Sequence, residues 1–337
     1  MVDNVENQAT EDMLVIRELK THFFTNKGVV PAVDGVSIRI PQKMIMGVVG
    51  ESGCGKSVTA MSILQLISRP GRVVSGSIRL DGDELLGKSV REMSDIRGNL
   101  ISVIFQEPMT SLNPVYPAGK QVGEAITRHH KAGKAEAKEI VVDMFKAVGI
   151  PEAERRYYSF PHQLSGGLRQ RVMIAMAMVC QPKLMIADEP TTALDVTIEA
   201  QIIHLMKELE DKSNTSIMLI THNMGVVAEI CDYVYVMYAG KIMEEAPVFD
   251  LFDHTKHPYT KGLLNSIPRT TAEKQRLYNI RGIVPNLLSL PEGCRFSPRC
   301  DYARPECRRK EPALYDCGDN HKARCFRYRG EGGADGD

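Results

Sequence analysis

The chain has 337 residues with 42 basic and 42 acidic side chains, so its formal net charge is zero and no global basic field favours nucleic acid. With 43% hydrophobic and 25% charged residues it has the balance of a globular protein, long enough for one large domain plus a smaller one. No apolar run reaches the roughly 18–20 residues that cross a bilayer. Met1–Asp12 also lacks the basic start and apolar core of a secretory signal, so a cytosolic protein is expected.

Residues 1–12 read as a disordered lead. Strand character begins at Leu14-Val15-Ile16 and returns over Val29–Ile40, rich in β-branched residues. Met44–Val49 is continuously apolar, as a strand buried on both faces should be. It runs directly into Gly50-Glu51-Ser52-Gly53-Cys54-Gly55-Lys56-Ser57, after which Lys56–Ser68 reads as a helix ended by Pro70-Gly71. Residues 101–105 form another buried strand, followed by Pro108, Pro114 and Pro117. Residues 119–149 are helical and amphipathic, and 168–180 form a buried helix. Leu184–Ala187 is a strand, Val196–Glu210 a helix and Ser216–Ile220 a strand. Tyr233–Glu245 is a hairpin turning at Ala239-Gly240. Strands alternating with helices imply an α/β core with a mainly parallel sheet. Beyond His257-Pro258, prolines and cysteines replace periodicity, so a boundary is expected near 258. Gly330–Asp337 reads as a disordered tail.

The string from Gly50 to Ser57 is a phosphate-binding loop, G-x-x-x-x-G-K-[ST]. Its glycines let the backbone turn sharply and approach a ligand, and successive amides with the following helix N-terminus face phosphate oxygens. Lys56 is expected to reach the β/γ oxygens and the Ser57 hydroxyl to ligate Mg²⁺. Gly50, Glu51, Ser52, Gly53, Cys54, Gly55, Lys56, Ser57 and Val58 therefore form the expected nucleotide cradle. Cys54 reads as a tolerated small side chain. Downstream, the strand Leu184–Ala187 delivers Asp188 and Glu189 at its C-terminal end, where α/β proteins place ligand chemistry. Asp188 is expected to hold Mg²⁺, and Glu189 to orient or deprotonate the attacking water.

Leu164-Ser165-Gly166-Gly167, lying between a phosphate loop and an Asp-Glu strand, resembles the signature of ATP-binding cassette (ABC) ATPases. The order of the remaining motifs is similar: Gln106 stands as in the Q-loop, Ala193-Leu194-Asp195 as in the D-loop and Thr221-His222 as in the H-switch. Phe23 sits where the adenine-stacking aromatic is usual, with Phe24 as competitor. The resemblance spans about residues 13–258. It implies a P-loop NTPase core with a helical subdomain at about 107–180, and two such domains sandwiching two ATPs. Ser165, Gly166 and Gly167 would face the γ-phosphate of the opposing subunit. Asp195 would belong to the nucleotide site, Gln106 to the Mg²⁺ and the water, and His222 to the γ-phosphate. One departure is Leu168, where the common signature has Gln.

Five of the eight cysteines crowd the last fifth of the chain, with spacing Cys294-x5-Cys300-x6-Cys307-x17-Cys325 and Cys317 between. In a cytosolic protein this reads as metal or redox chemistry rather than disulfides. The gaps are wider than the usual zinc pairs and suit an iron–sulfur cluster, with zinc or reduced structural thiols as alternatives. His257-Pro258-Tyr259-Thr260, Ile283–Leu287 and Gly293–Cys300 resemble the extension of oligopeptide/dipeptide importer ATPases, here expected over 259–329 as a small Cys-rich domain. The resemblance implies a [4Fe–4S] cluster on Cys294, Cys300, Cys307 and Cys325.

The function so implied is an ATPase subunit powering peptide import at the cytoplasmic face of a bacterial membrane. Its partners would be a second ATPase subunit, identical or related, two transmembrane permeases and, indirectly, an extracytoplasmic peptide-binding protein. A permease coupling helix is expected near Gln106 and Glu107–Pro117. Alternatives are a nickel-chelate importer, a soluble ABC ATPase of translation or repair, or a redox sensor whose cluster governs the ATPase.

Overall fold

The computed structural model describes residues 12–106, 111–192, 195–267 and 279–330. The expected N-terminal lead (save Asp12), the tail beyond Gly330 and Ala193-Leu194 of the D-loop lie outside these residues, as does 107–110. Among the described residues the chain forms two compact units. One comprises 12–14, 40–44 and 81–219; the other comprises 15–39, 45–80 and 220–330.

In the first unit, Ile101–Ile104 pairs in parallel with Leu184–Asp188, Ile101 opposite Leu184 and Ile104 opposite Ala187. Ser216–Thr221 lies on the other side of Leu184–Asp188. Every residue of Leu184–Asp188 and of Ser216–Thr221 is buried, which is why both read as unbroken apolar runs rather than alternating ones. The expected helical stretch at 119–149 is two helices, Ala118–His129 and Lys134–Ala147. Lys131 at φ +53° and Gly133 as the second helix's N-cap break it, while Val122, Ile126, Val141 and Phe145 keep a common buried face. Gly166–Met178 and Val196–Lys212 follow as helices.

In the second unit, Ile45–Val49 is buried throughout and pairs in parallel with Tyr233–Tyr238, Val49 opposite Val236. Tyr233–Tyr238 and Lys241–Pro247 form the expected hairpin. Its two-residue turn puts Ala239 at φ +45° and Gly240 at φ +87°, the left-handed backbone that tight hairpins need. Two short strands complete this sheet segment: Lys322–Ala323 pairs antiparallel with Lys241–Pro247, and Tyr315–Asp316 with Lys322–Ala323. A further sheet orders Gly28–Pro41, Asp12–Thr25 and Gly71–Leu80. The helix after the glycine loop is Lys56–Ile63, shorter than expected, since Gln65 already stands at φ +50°.

Residues 279–330 pack within the same unit as the glycine loop. Glu244, fully buried, accepts the backbone N–H of Lys256 (2.6 Å) and His257 (3.1 Å) and pairs with His321 at 2.7 Å. Lys322 pairs with Glu245 at 2.9 Å. Tyr238, Tyr259 and Phe296 form an aromatic cluster with centroids 4.6–5.4 Å apart. Paired charges and tilted or edge-to-face rings thus replace the aliphatic periodicity that the C-terminal sequence lacks.

Candidate nucleotide site

The strand Ile45–Val49 ends at Gly50, and the loop closes into the helix at Lys56. Gly50 has φ +153° and Gly55 φ +110°. A Cβ on Gly50 would stand 2.1 Å from Met237 O, and one on Gly55 would stand 2.3 Å from Ala32 O, so neither position admits a side chain. Lys56 is buried, and its ammonium donates to Gly50 O (2.7 Å) and Glu51 O (3.2 Å). The charge is therefore held inside the curve of the loop. Helix Lys56–Ile63 has Gly55 as N-cap with no side-chain cap, so no side chain competes for its first amides. Ser57 is exposed and Val58 half-buried, while Ser52 and Gly53 are exposed at the tip. Cys54 is completely buried. Its thiol is pushed up by burial, and Gly240 N–H donates to its carbonyl at 2.8 Å. It is a core side chain, as a tolerated small residue would be.

The same unit carries Phe23 and Phe24 on one strand. Phe23 lies so close to Gly71 that a Cβ there would meet its ring at 2.6 Å. Phe24 is 39% exposed with the Arg72 guanidinium 4.4 Å over its ring. His222, at the end of Ser216–Thr221, is exposed.

In the first unit, Gln106 Nε2 donates to Glu189 Oε2 at 2.9 Å. Thr192 Oγ1 donates to the same oxygen at 3.0 Å. Glu189 itself has φ +48°, a costly conformation for a residue with a Cβ. Asp188, one residue earlier, is 5% exposed at the end of the buried strand. Two groups that the sequence placed far apart thus meet on one carboxylate. Thr192 was not anticipated; its place three residues after Glu189, in the turn, was the available signal. Ser165 caps the helix Gly166–Met178, its hydroxyl accepting Leu168 N–H at 3.3 Å. Gly166 and Gly167 supply the first amides of that helix. A Cβ on Gly167 would come within 3.0 Å of Ile198. Asp195 is the N-cap of Val196–Lys212.

The four predicted thiols Cys294, Cys300, Cys307 and Cys325 line one cavity, together with His257 and Phe296; Cys317 does not line it. Burial pushes Cys294 up to about 12, and the neighbouring Cys307, Cys325 and Cys300 add to the shift. Cys317 instead sits 3.7 Å from Tyr315 O. Among the described residues, no three His, Cys, Asp or Glu side chains converge as the ligands of one metal ion. No described helix is long and apolar enough to cross a membrane.

The ABC transporter family model matches residues 33–192, and the model for the oligopeptide/dipeptide transporter C-terminal region matches 243–307. The chain is 50% identical to the oligopeptide transport ATP-binding protein AppD of Bacillus subtilis, over 95% of this chain and 98% of that protein. It is 44% identical to the dipeptide transport ATP-binding protein DppD of Escherichia coli, over 93% and 96%. Its fold is similar to the dimeric ATP-binding cassette MJ0796 bound to ADP and phosphate, with a TM-score of 0.63 and 24% identity over 70% of this chain and 99% of that one. It is likewise similar to cbiO1 of Clostridium perfringens, with a TM-score of 0.62 and 25% identity over 72% and 92%. A phosphate loop, an Asp-Glu strand end, a capped signature helix and a matched C-terminal region occur here in one chain: it belongs to the ATP-binding subunits of the oligopeptide/dipeptide ABC importers.

Proposed function

We propose that this chain hydrolyses ATP to drive the import of dipeptides or oligopeptides through membrane partners. The observation that carries the reading is the glycine loop. It holds Lys56 against its own carbonyls, has two glycines that cannot bear a side chain, and runs into an uncapped helix N-terminus, in a chain whose C-terminal region matches that of peptide importers. In this reading Lys56 and the loop amides bind the β- and γ-phosphates. Ser57, Asp188 and Gln106 serve Mg²⁺, which supplies charge neutralisation for the departing phosphate. Glu189, steered by Gln106 and Thr192, orients and deprotonates water, and His222 contacts the γ-phosphate. Phe23 or Phe24 stacks on adenine. Ser165, Gly166, Gly167 and Asp195 complete the site of a second ATPase subunit, identical or related.

The cassette spans 13–258 and the importer extension 259–329. Two permease subunits supply the pore, placing this chain on the cytoplasmic face of the cell membrane, and an extracytoplasmic binding protein delivers peptide. A cleft of about 600 Å³ in the first unit, lined by Phe105, Val103, Met173 and Met176, suits an apolar permease helix. Cys294, Cys300, Cys307 and Cys325 would hold a [4Fe–4S] cluster through their thiolates; the support is their common cavity and the separate seat of Cys317. ATPase assays of the purified chain with its permease partners test the reading: turnover dependent on Glu189 is expected, and turnover unaffected by Glu189→Gln would overturn it.

A further inference from the structure

Glu51, the first variable residue of the phosphate loop, is fastened at three points. Its N–H donates to Tyr259 Oη at 2.9 Å, its carbonyl accepts from Lys56, and its carboxylate is gripped by Arg299. The grip is bidentate: Arg299 Nη1 donates to Glu51 Oε2 at 2.6 Å and Nη2 to Oε1 at 3.0 Å. Arg299 lies 248 residues downstream, beside Cys300. Its side chain is only 4% exposed. Its other donors are all used: Nε bonds Arg281 O, Nη1 also bonds Tyr238 Oη, and Nη2 also bonds Ile280 O. Five N–H groups thus have partners, which fixes the guanidinium in one orientation.

Nothing in the expected catalytic set needs a carboxylate at position 51. An unneutralised one in the loop would repel a polyphosphate, and a loose one would compete for Lys56. We propose that Arg299 is a positioning residue of the nucleotide site: by pairing with Glu51 it cancels that charge and holds the loop in its phosphate-receiving shape. The cysteine segment is thereby a structural part of the ATP site. This inference rests on the loop's reading as the ATP cradle; failure of the wild-type chain to bind ATP would defeat that reading rather than this one.

The test is a double-mutant cycle read by titration with a fluorescent N-methylanthraniloyl ATP. Arg299→Met should bind about tenfold more weakly than wild type, within the range of coupling energies for contacting charges. Adding Glu51→Gln to Arg299→Met should return affinity to within about threefold of wild type, because the orphaned charge is gone. A purely structural Arg299 would show no such rescue. Wild-type affinity in Arg299→Met, or a loss that Glu51→Gln does not relieve, overturns the proposal. Should Arg299→Met not fold, Arg299→Lys serves in the same cycle. It keeps the charge but loses the fork, so it should bind several-fold more weakly, and adding Glu51→Gln should weaken binding further because the ammonium then loses its carboxylate. Unchanged affinity in Arg299→Lys overturns the proposal equally.

Discussion

Gln106 Nε2 stands 2.9 Å from Glu189 Oε2, so a residue just beyond one strand steers the carboxylate that follows its parallel neighbour. The parallel pairing of Ile101–Ile104 with Leu184–Asp188 brings these two strand ends together. Thr192 holds the same oxygen from the following turn. Glu189→Gln keeps the size and the Gln106 contact but removes the base. It should retain ATP binding and lose turnover by about 10²–10⁴-fold, the usual worth of a positioned general base. Steady-state hydrolysis together with nucleotide titration checks this.

Lys56 makes charge-assisted bonds to its own loop and is the expected phosphate ligand. Lys56→Ala should weaken ATP binding by about 10- to 150-fold, from the 1.5–3 kcal/mol typical of a hydrogen bond to a charged group. Isothermal titration with Mg-ATP measures the change.

His257 gives a pH prediction. Its ring is buried, and Nδ1 accepts Tyr259 N–H at 3.0 Å as the N-cap of Pro258–Asn265. Burial lowers it from 6.5 to about 4, partly offset by Glu244. The unfolded chain therefore binds more protons than the folded one between these values. Stability from this group is complete above about pH 6.5 and is lost as pH falls toward 4, amounting to about 3 kcal/mol. Thermal melts from pH 7.5 to 4.5 should show this loss. His257→Asn, which can still cap, should flatten the slope.

The cysteine cavity makes a compositional prediction. Anaerobically purified protein should be brown with about four irons per chain. Cys294→Ser or Cys307→Ser should lower iron content sharply, and Cys317→Ser should leave it unchanged. A colourless chain with one zinc would replace the cluster by a zinc site.

The phosphate loop was legible because every part is local: an apolar strand, glycines where only glycine fits, and Lys-Ser opening a helix. The hairpin at Ala239-Gly240 was legible for the same reason. The single helical stretch over 119–149 was too coarse, because amphipathic periodicity continues across Lys131 and Gly133 while the backbone does not. The strands Tyr315–Asp316 and Lys322–Ala323 left no trace, since two residues carry no period. Arg299 was unreadable as a partner of Glu51. An arginine among cysteines looks like any surface charge until the chain returns it to the loop.

ATP hydrolysis by this chain powers peptide uptake. The most direct measurement reconstitutes the chain with its permease and ATPase partners in proteoliposomes. ATP-dependent accumulation of labelled dipeptides or oligopeptides is then followed beside the Glu189→Gln chain. Uptake that requires ATP and vanishes with Glu189→Gln is expected. Uptake of nickel chelates alone, or peptide uptake indifferent to Glu189→Gln, would contradict the account.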